Sequence, residues 1–385
     1  MTDPAYFHAE DCRLEDLQAL CAKQTTAEDV PHAAEIVSNV PIYDVPELGD
    51  GLTSPALMAE WAKVLRIGAG ALVLRRAYLD TGPIDTTTSI YQQIIAEEKA
   101  ASGAKADHFA AKGNNDRIWN SLQKLCDKDP AAFARYFGNV AVSAVCEAWL
   151  GPNYQMSAQV NLVRPGGAAQ EAHRDYHLGF QTAEVSALYP AHVHDLSPVL
   201  TLQGGIAHGD MPLESGPTKL LPFSQAYRAG YAAWRLAEFR AYFEENYVQL
   251  PLHKGDVIFF NPALFHGAGA NTSADIQRMA NLIQVSSAFG RAMETIDRAT
   301  MCRQLFPVLK DAKQTLGMSD REIDAAIAAS AEGYSFPTNL DNDPPVGGLA
   351  PMTQNQLLRK ALDESWSMDA FEGALAELTS RQRAR

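Results

Sequence analysis

HKGDVIFFNPALFHGAGANTSADIQRMANLIQVS, residues 253–286, alternates apolar runs with turn residues. KGD reads as a turn, VIFF as a buried strand, and NP as a second turn. His266 stands where the next strand begins, and RMANLIQVS closes the stretch as another strand. The same texture runs back to about residue 154: YQMSAQVNLVR before the turn PGG, then VLTLQGGIA, then the short TKLLP. Several short strands with Pro and Gly punctuation predict a sandwich or barrel, not alternating βαβ units. One helical insertion, residues 224–247, interrupts them.

Helical patterns flank this core. LEDLQALCAK from Leu14 is amphipathic, and SPALMAEWAKVL opens with Ser54 at the N-cap and Pro55 at the first helical position, where a missing N–H costs nothing. AAFARYFGNVAVSAVCEAWLG keeps helical spacing until Gly151. GALVLRR, at 70–76, is the one clear strand before residue 150. Beyond residue 290, SDREIDAAIAAS has Ser319 and Glu322 at capping-box spacing, and QNQLLRKALDESW and AFEGALAELTSRQRAR form a terminal helical pair. The expected fold is a mainly β core at 151–290 with helical flanks at 1–150 and 291–385, an α+β chain forming one integrated domain. The Pro/Gly/Asp-rich segment 334–352 reads as either a surface connection or a lid.

A net charge of −14 argues against nucleic acid or an anionic membrane as partner. No stretch approaches the length of a membrane span, and MTDPAYFHAEDCRLEDL lacks the basic start and apolar run of a signal peptide. The cysteines at 12, 21, 126, 146 and 302 are scattered, with no C-x-x-C pair. That argues against a disulfide framework or thiolate zinc site and fits a reducing cytoplasm. The amphipathic terminal helices leave a homo-oligomer possible.

The chemistry concentrates in AHRDYHLGF, residues 172–180. His173 and His177 have the spacing of a helical zinc pair, but Arg174 occupies the place where zinc proteases carry Glu, and the preceding VRPGG leaves little room for a helix. On an extended segment His173 and Asp175 face the same side. Other pairs compete: His208 with Asp210, and His192 with His194. A distal partner is needed, and His266 supplies an imidazole at the start of a strand. Two imidazoles and one carboxylate on one face of an octahedral ion leave three positions open, the arrangement of non-haem Fe(II) oxygenases. Arg278, shortly downstream, offers the planar fork that a dicarboxylate cosubstrate requires.

The order HRD, ESGPTKLLPFSQ, KGDVIFFNPALFHGAGANTS and then Arg278 resembles the phytanoyl-CoA dioxygenase family of Fe(II)/2-oxoglutarate-dependent oxygenases, from GAGALVLRR near residue 68 to about residue 290. The resemblance implies a double-stranded β-helix, a cupin-like jelly-roll. It implies His173, Asp175 and His266 as iron ligands and Arg278 on the far carboxylate of 2-oxoglutarate, with O2 as cosubstrate. Asn161, Gln203 and Ser157 become candidates for contacting 2-oxoglutarate, with Gln155 and Ser286 behind them. Arg174, His177 and Arg117 become candidates for a small-molecule substrate, as does the polar run HFAAKGNNDRIWNSLQ at 108–123. His208 is expected at the cavity mouth at most, and His192 and His194 at the surface or behind the ligands. The retained Asp175 favours hydroxylation over halide transfer, with desaturation or epimerisation still open. A non-catalytic jelly-roll that binds a small molecule is the alternative outside enzymes.

Overall fold

The alternation that marks the central strands sorts their side chains onto two faces, and the architecture follows from what each face meets. The computed structural model describes residues 4–102, 115–334 and 339–383. In chain order the strands are β1 (Glu35–Val37), β2 (Val40–Asp44), β3 (Ala71–Arg75), β4 (Asn115–Ile118), β5 (Gln155–Val163), β6 (Thr201–Ala207), β7 (Lys219–Leu220), β8 (Val257–Phe260), β9 (His266–Gly267) and β10 (Arg278–Ser286). Eight of them form one sheet in the order β1-β2-β3-β8-β6-β10-β5-β4, antiparallel except for β2 beside β3. A smaller second layer is built from β7 paired with β9. It is extended by single bridges of Leu220 with Val248, Met211 with Leu252, and His173 with His266.

The outer face of the large sheet is apolar and covered by helices. Leu72, Val160, Leu202, Phe259 and Ile283 join one cluster with Trp61, Phe133, Phe306, Leu358 and Leu378. That cluster draws residues from both helical flanks and the β core. Burying each such large side chain contributes about 1.5–3 kcal/mol. The inner face carries Ile258, Phe260, Ala71 and Val73, which pack on Leu220, Leu250 and Leu252 of the second layer. Between the layers lies the cavity described below.

Local signals were honoured where caps are strong. Ser54 Oγ accepts the Leu57 N–H at the start of Pro55–Arg66, and Ser319 with Glu322 completes a capping box on Asp320–Ser330. Three expectations need correction. The described residues among the first 150 contain four strands, not one. β1 has only three residues, β2 contains Pro41 and is buried on both faces, and β4 is the polar NDRI, so none shows clean alternation. The helix expected up to Gly151 is two, Pro130–Phe137 and Val140–Leu150, because Asn139 caps the second by accepting the Val142 N–H. The insertion at 224–247 is a broken segment, Ser224–Ala226, Gly230–Ala233 and Ala237–Asn246, not one helix.

His208 also departs from expectation. It is buried, not at the mouth, with Nδ1 at 2.8 Å from Thr88 Oγ1 and Nε2 at 2.7 Å from Tyr136 Oη. Burial, with Lys254 nearby, pushes its pKa down to about 3. The folded state therefore keeps it neutral while the unfolded chain takes up a proton near pH 6.5. Stability from this group is complete above the unfolded value and is lost as pH falls towards 3, at up to about 1.4 kcal/mol per pH unit. Chemical denaturation across pH 7 to 4 should show this slope, and His208→Gln should flatten it; an unchanged slope would assign the acid sensitivity elsewhere.

Candidate metal centre and its cavity

His173 lies on the extended segment that pairs with β9, its N–H donating to His266 O at 2.9 Å and its carbonyl accepting the His266 N–H at 3.2 Å. This two-way bridge places both imidazoles on one side, with ring centroids 4.4 Å apart. Asp175 is held by its N–H on Pro262 O at 3.0 Å. His173 Nε2 lies 3.6 Å from Asp175 Oδ1, and His266 Nε2 lies 3.5 Å from Asp175 Oδ2. One ligand atom from each of the three residues falls within 4.8 Å of the others.

The tautomers follow from the outer contacts. His173 Nδ1 sits 2.9 Å from Glu171 O and His266 Nδ1 sits 2.8 Å from Leu264 O. A carbonyl only accepts, so each Nδ1 carries the proton and each Nε2 turns a lone pair to the shared centre. This is the orientation that metal-bound histidines adopt. Burial, together with His266, lowers the His173 pKa and keeps it neutral. Burial acts to raise Asp175, but the close imidazoles of His266 and His173 and the Gln203 amide outweigh it and hold the carboxyl well below the usual range. Gln203 Nε2 donates to Asp175 Oδ2 at 2.5 Å. The donor set is therefore two neutral imidazoles and one ionised carboxylate, and it fits Fe(II).

The turn after Asp175 is strained. Tyr176, with φ 62° and ψ 155°, occupies a backbone region that belongs almost only to glycine, at a cost of about 1–3 kcal/mol. Its ring is buried, which holds the conformation. His177 follows at φ 37° and has its Nδ1 2.8 Å from Ser197 Oγ. Ser197 Oγ lies 3.2 Å from Tyr231 Oη, which donates to Asp175 O at 3.3 Å. His177 is thus tied to the ligand segment through the backbone of Asp175, and its side chain does not line the cavity.

The cavity measures about 870 Å³ and runs between the two layers. All three ligand residues line it, as do Arg278, Asn161, Gln203 and Arg117. Arg278 is 7% exposed and donates through Nη1 to Ser215 O at 2.9 Å and Gly269 O at 3.2 Å. No carboxylate pairs with it among the described residues, and burial brings its pKa down to about 10. An uncompensated buried guanidinium beside open space is a seat for an anion. Gly216 shapes the loop above it: φ is +73°, and a Cβ there would come within 2.2 Å of Ala270 O. Asn161 Oδ1 and Gln203 Oε1 are buried without a hydrogen-bond partner.

The other expected residues have contacts of their own, and Arg174 belongs to the lining. The Ser157 hydroxyl donates to Gln284 O at 3.3 Å and does not line the cavity, and Gln155 is committed to Ser287 O and Gly290 O. Ser286 Oγ is buried without a partner. The Arg174 guanidinium is 1% exposed, lies about 5 Å from the ring centres of Tyr231 and Phe265, and donates to Ser224 O and Tyr227 O. Its charge is spent on the protein's own carbonyls. Gly230 makes room for it, since a Cβ there would fall 1.9 Å from Cζ. His194 is buried, not at the surface, its Nε2 3.0 Å from Ser186 O, whereas His192 is exposed. Of the run 108–123, residues 108–114 lie outside the described residues, while Arg117 and Trp119 line the cavity. No described residue of 334–352 lines it. Sequence reasoning missed Gln159, Gln284 and Glu294 in the lining. Gln284 had a signal, because it shares the parity of Arg278 on β10; Glu294, in a loop, had none.

Residues 67–280, more than half of the chain, match the sequence profile of phytanoyl-CoA dioxygenase, PhyH. The chain belongs to the phytanoyl-CoA dioxygenase family. The three convergent ligand residues and Arg278 all lie within the stretch that carries this match. The chain is also similar to the dioxygenase AndF of Emericella variicolor, 25% identical over 139 residues. That match covers 35% of this chain and 43% of AndF, so the chain spans less than half the length of that relative. Among solved structures, similarity extends to the non-haem α-ketoglutarate-dependent carbocyclase SnoK from nogalamycin biosynthesis, at 18% identity and a TM-score of 0.44 over 63% of this chain and 89% of that one. AviO1 from Streptomyces viridochromogenes Tue57 gives 17% identity and 0.44 over 62% of this chain and 97% of that one. Among the described residues no helix is long and apolar enough to cross a membrane.

Proposed function

We propose that this member of the phytanoyl-CoA dioxygenase family is an Fe(II)- and 2-oxoglutarate-dependent dioxygenase. In this reading it hydroxylates an unactivated C–H bond of a small molecule and releases succinate and CO2. The observation that carries the reading is one cavity lined by three residues with convergent ligand atoms and by a buried arginine with no carboxylate partner among the described residues. Iron, 2-oxoglutarate and O2 together supply an oxidant able to attack an aliphatic C–H bond.

The chain's own part is arrangement. His173, Asp175 and His266 would hold the ion at the cavity wall. Arg278 would take the far carboxylate of 2-oxoglutarate, and Asn161 and Gln203 would present amides to the cosubstrate. Gln203 also keeps Asp175 in place through Oδ2. Leu250, Leu252, Ile258 and Phe260 supply apolar wall that excludes water from the reacting centre. The unpaired cysteines suit a reducing cytoplasm.

Anaerobic addition of Fe(II) and 2-oxoglutarate should produce a metal-to-ligand charge-transfer band, and admission of O2 should release succinate. A jelly-roll that only binds a small molecule would show neither. Product analysis then separates hydroxylation from desaturation or epimerisation, which start from the same ligand set.

A further inference from the structure

The cavity has a second polar pole that the iron and 2-oxoglutarate do not use. Arg278 opens β10, and Gln284 lies near its other end, opposite Gln203 on β6. One step along the inner face, Gln159 on β5 pairs with Leu282, and its Nε2 lies 3.7 Å from Met293 Sδ. Next to Met293, Glu294 lines the same cavity. Its Oε1 accepts the Asn120 N–H at 2.6 Å and so ties this loop to the turn before Ser121–Lys128. Its Oε2 is buried and has no partner, and Gln284 Oε1 nearby along the lining is in the same state.

Amide groups can satisfy either a donor or an acceptor by turning over, but an ionised carboxylate can only accept. A buried carboxylate oxygen left without a donor is costly, and burial accordingly raises the Glu294 pKa. Lys124, whose Nζ is paired with Glu98, offsets it only in part, and the Asn120 bond occupies only one oxygen. The cosubstrate cannot supply the missing donor, because 2-oxoglutarate is a dianion and Glu294 repels it. The cavity is therefore polarised, with an anion seat at Arg278 and an acceptor at Glu294.

We propose that Glu294 anchors the primary substrate through a hydrogen-bond-donating group, an amine or a hydroxyl, carried on an apolar body that fills the wall between the poles. A carboxylate or phosphate presented to Glu294 itself is repelled, whereas the Arg117 guanidinium, which donates to Gln159 Oε1 at 3.4 Å, lines the cavity beside it. This deepens the oxygenase reading and rests on it for the word substrate, although the binding itself needs no iron.

The test uses three probes with one apolar cage: adamantane-1-methylamine, adamantane-1-methanol and adamantane-1-carboxylate. Each is titrated calorimetrically into the full chain without added iron, as wild type, Glu294→Gln and Glu294→Leu, with melting curves confirming that each variant is folded. Gln keeps an acceptor for the Asn120 N–H and so preserves the turn. If the donor is an ammonium, the amine binds best and weakens at least tenfold in both variants. If it is a hydroxyl, the alcohol binds best, tolerates Gln and weakens at least tenfold in Leu. Carboxylate binding is not weakened by either. Amine and alcohol affinities untouched by both variants, or a carboxylate that binds best and loses affinity with them, would overturn the proposal. A protein that passes this test yet forms no charge-transfer band with iron and 2-oxoglutarate loses the oxygenase reading alone.

Discussion

Replacing Asp175 with alanine is expected to lower iron-dependent succinate formation by more than about 100-fold. Even outer groups that merely orient metal ligands are worth about 10–100-fold, and in the proposed centre Asp175 is itself one of three ligands. Its two oxygens face the two Nε2 atoms at 3.6 and 3.5 Å, and it supplies the one negative charge in the donor set. Its removal leaves two neutral imidazoles whose Nδ1 protons are already committed to Glu171 O and Leu264 O. They keep their orientation but cannot complete a facial set. Iron content after anaerobic loading, measured beside succinate release, checks the outcome. Turnover that survived in Asp175→Ala would mean that the ion binds elsewhere.

The second large effect belongs to Arg278. Arg278→Gln should raise the KM for 2-oxoglutarate by on the order of 100-fold, since truncating one partner of a buried, hydrogen-bonded charge pair costs about 2–5 kcal/mol. The cause is specific to the far carboxylate. Wild type should therefore prefer 2-oxoglutarate strongly over 2-oxopentanoate, which lacks that group, and the variant should treat the two alike. Removing the charge also removes a desolvation penalty, because the guanidinium sits buried with only carbonyl partners at Ser215 and Gly269. The melting temperature without cosubstrate should accordingly hold or rise. A preserved preference for 2-oxoglutarate in the variant would place the anion seat on another residue.

Both predictions concern residues legible in the sequence, and the reason is local. His173 and Asp175 are two apart on an extended segment, so their common face follows from strand geometry alone. Arg278 shares a strand whose alternation is visible in RMANLIQVS. His266 needed more, because its pairing with His173 joins segments distant in the chain. Order and spacing pointed to it, and the bridge between the two backbones brings them together.

Other residues could not be sorted in this way. Arg174 and His177 sit beside the ligands in the sequence, yet one is turned into a pocket of carbonyls at Gly230 and the other is carried off by the positive-φ turn at Tyr176. His208 reads like a second metal-binding pair with Asp210, but it is buried between Thr88 and Tyr136. Glu294 shows nothing in the sequence to single it out. Local pattern determines which faces of a strand agree, because that periodicity is a property of the backbone. Which loop closes the far end of a cavity, and which buried oxygen is left without a partner, depends on packing between segments remote in the chain, and only the folded molecule decides it.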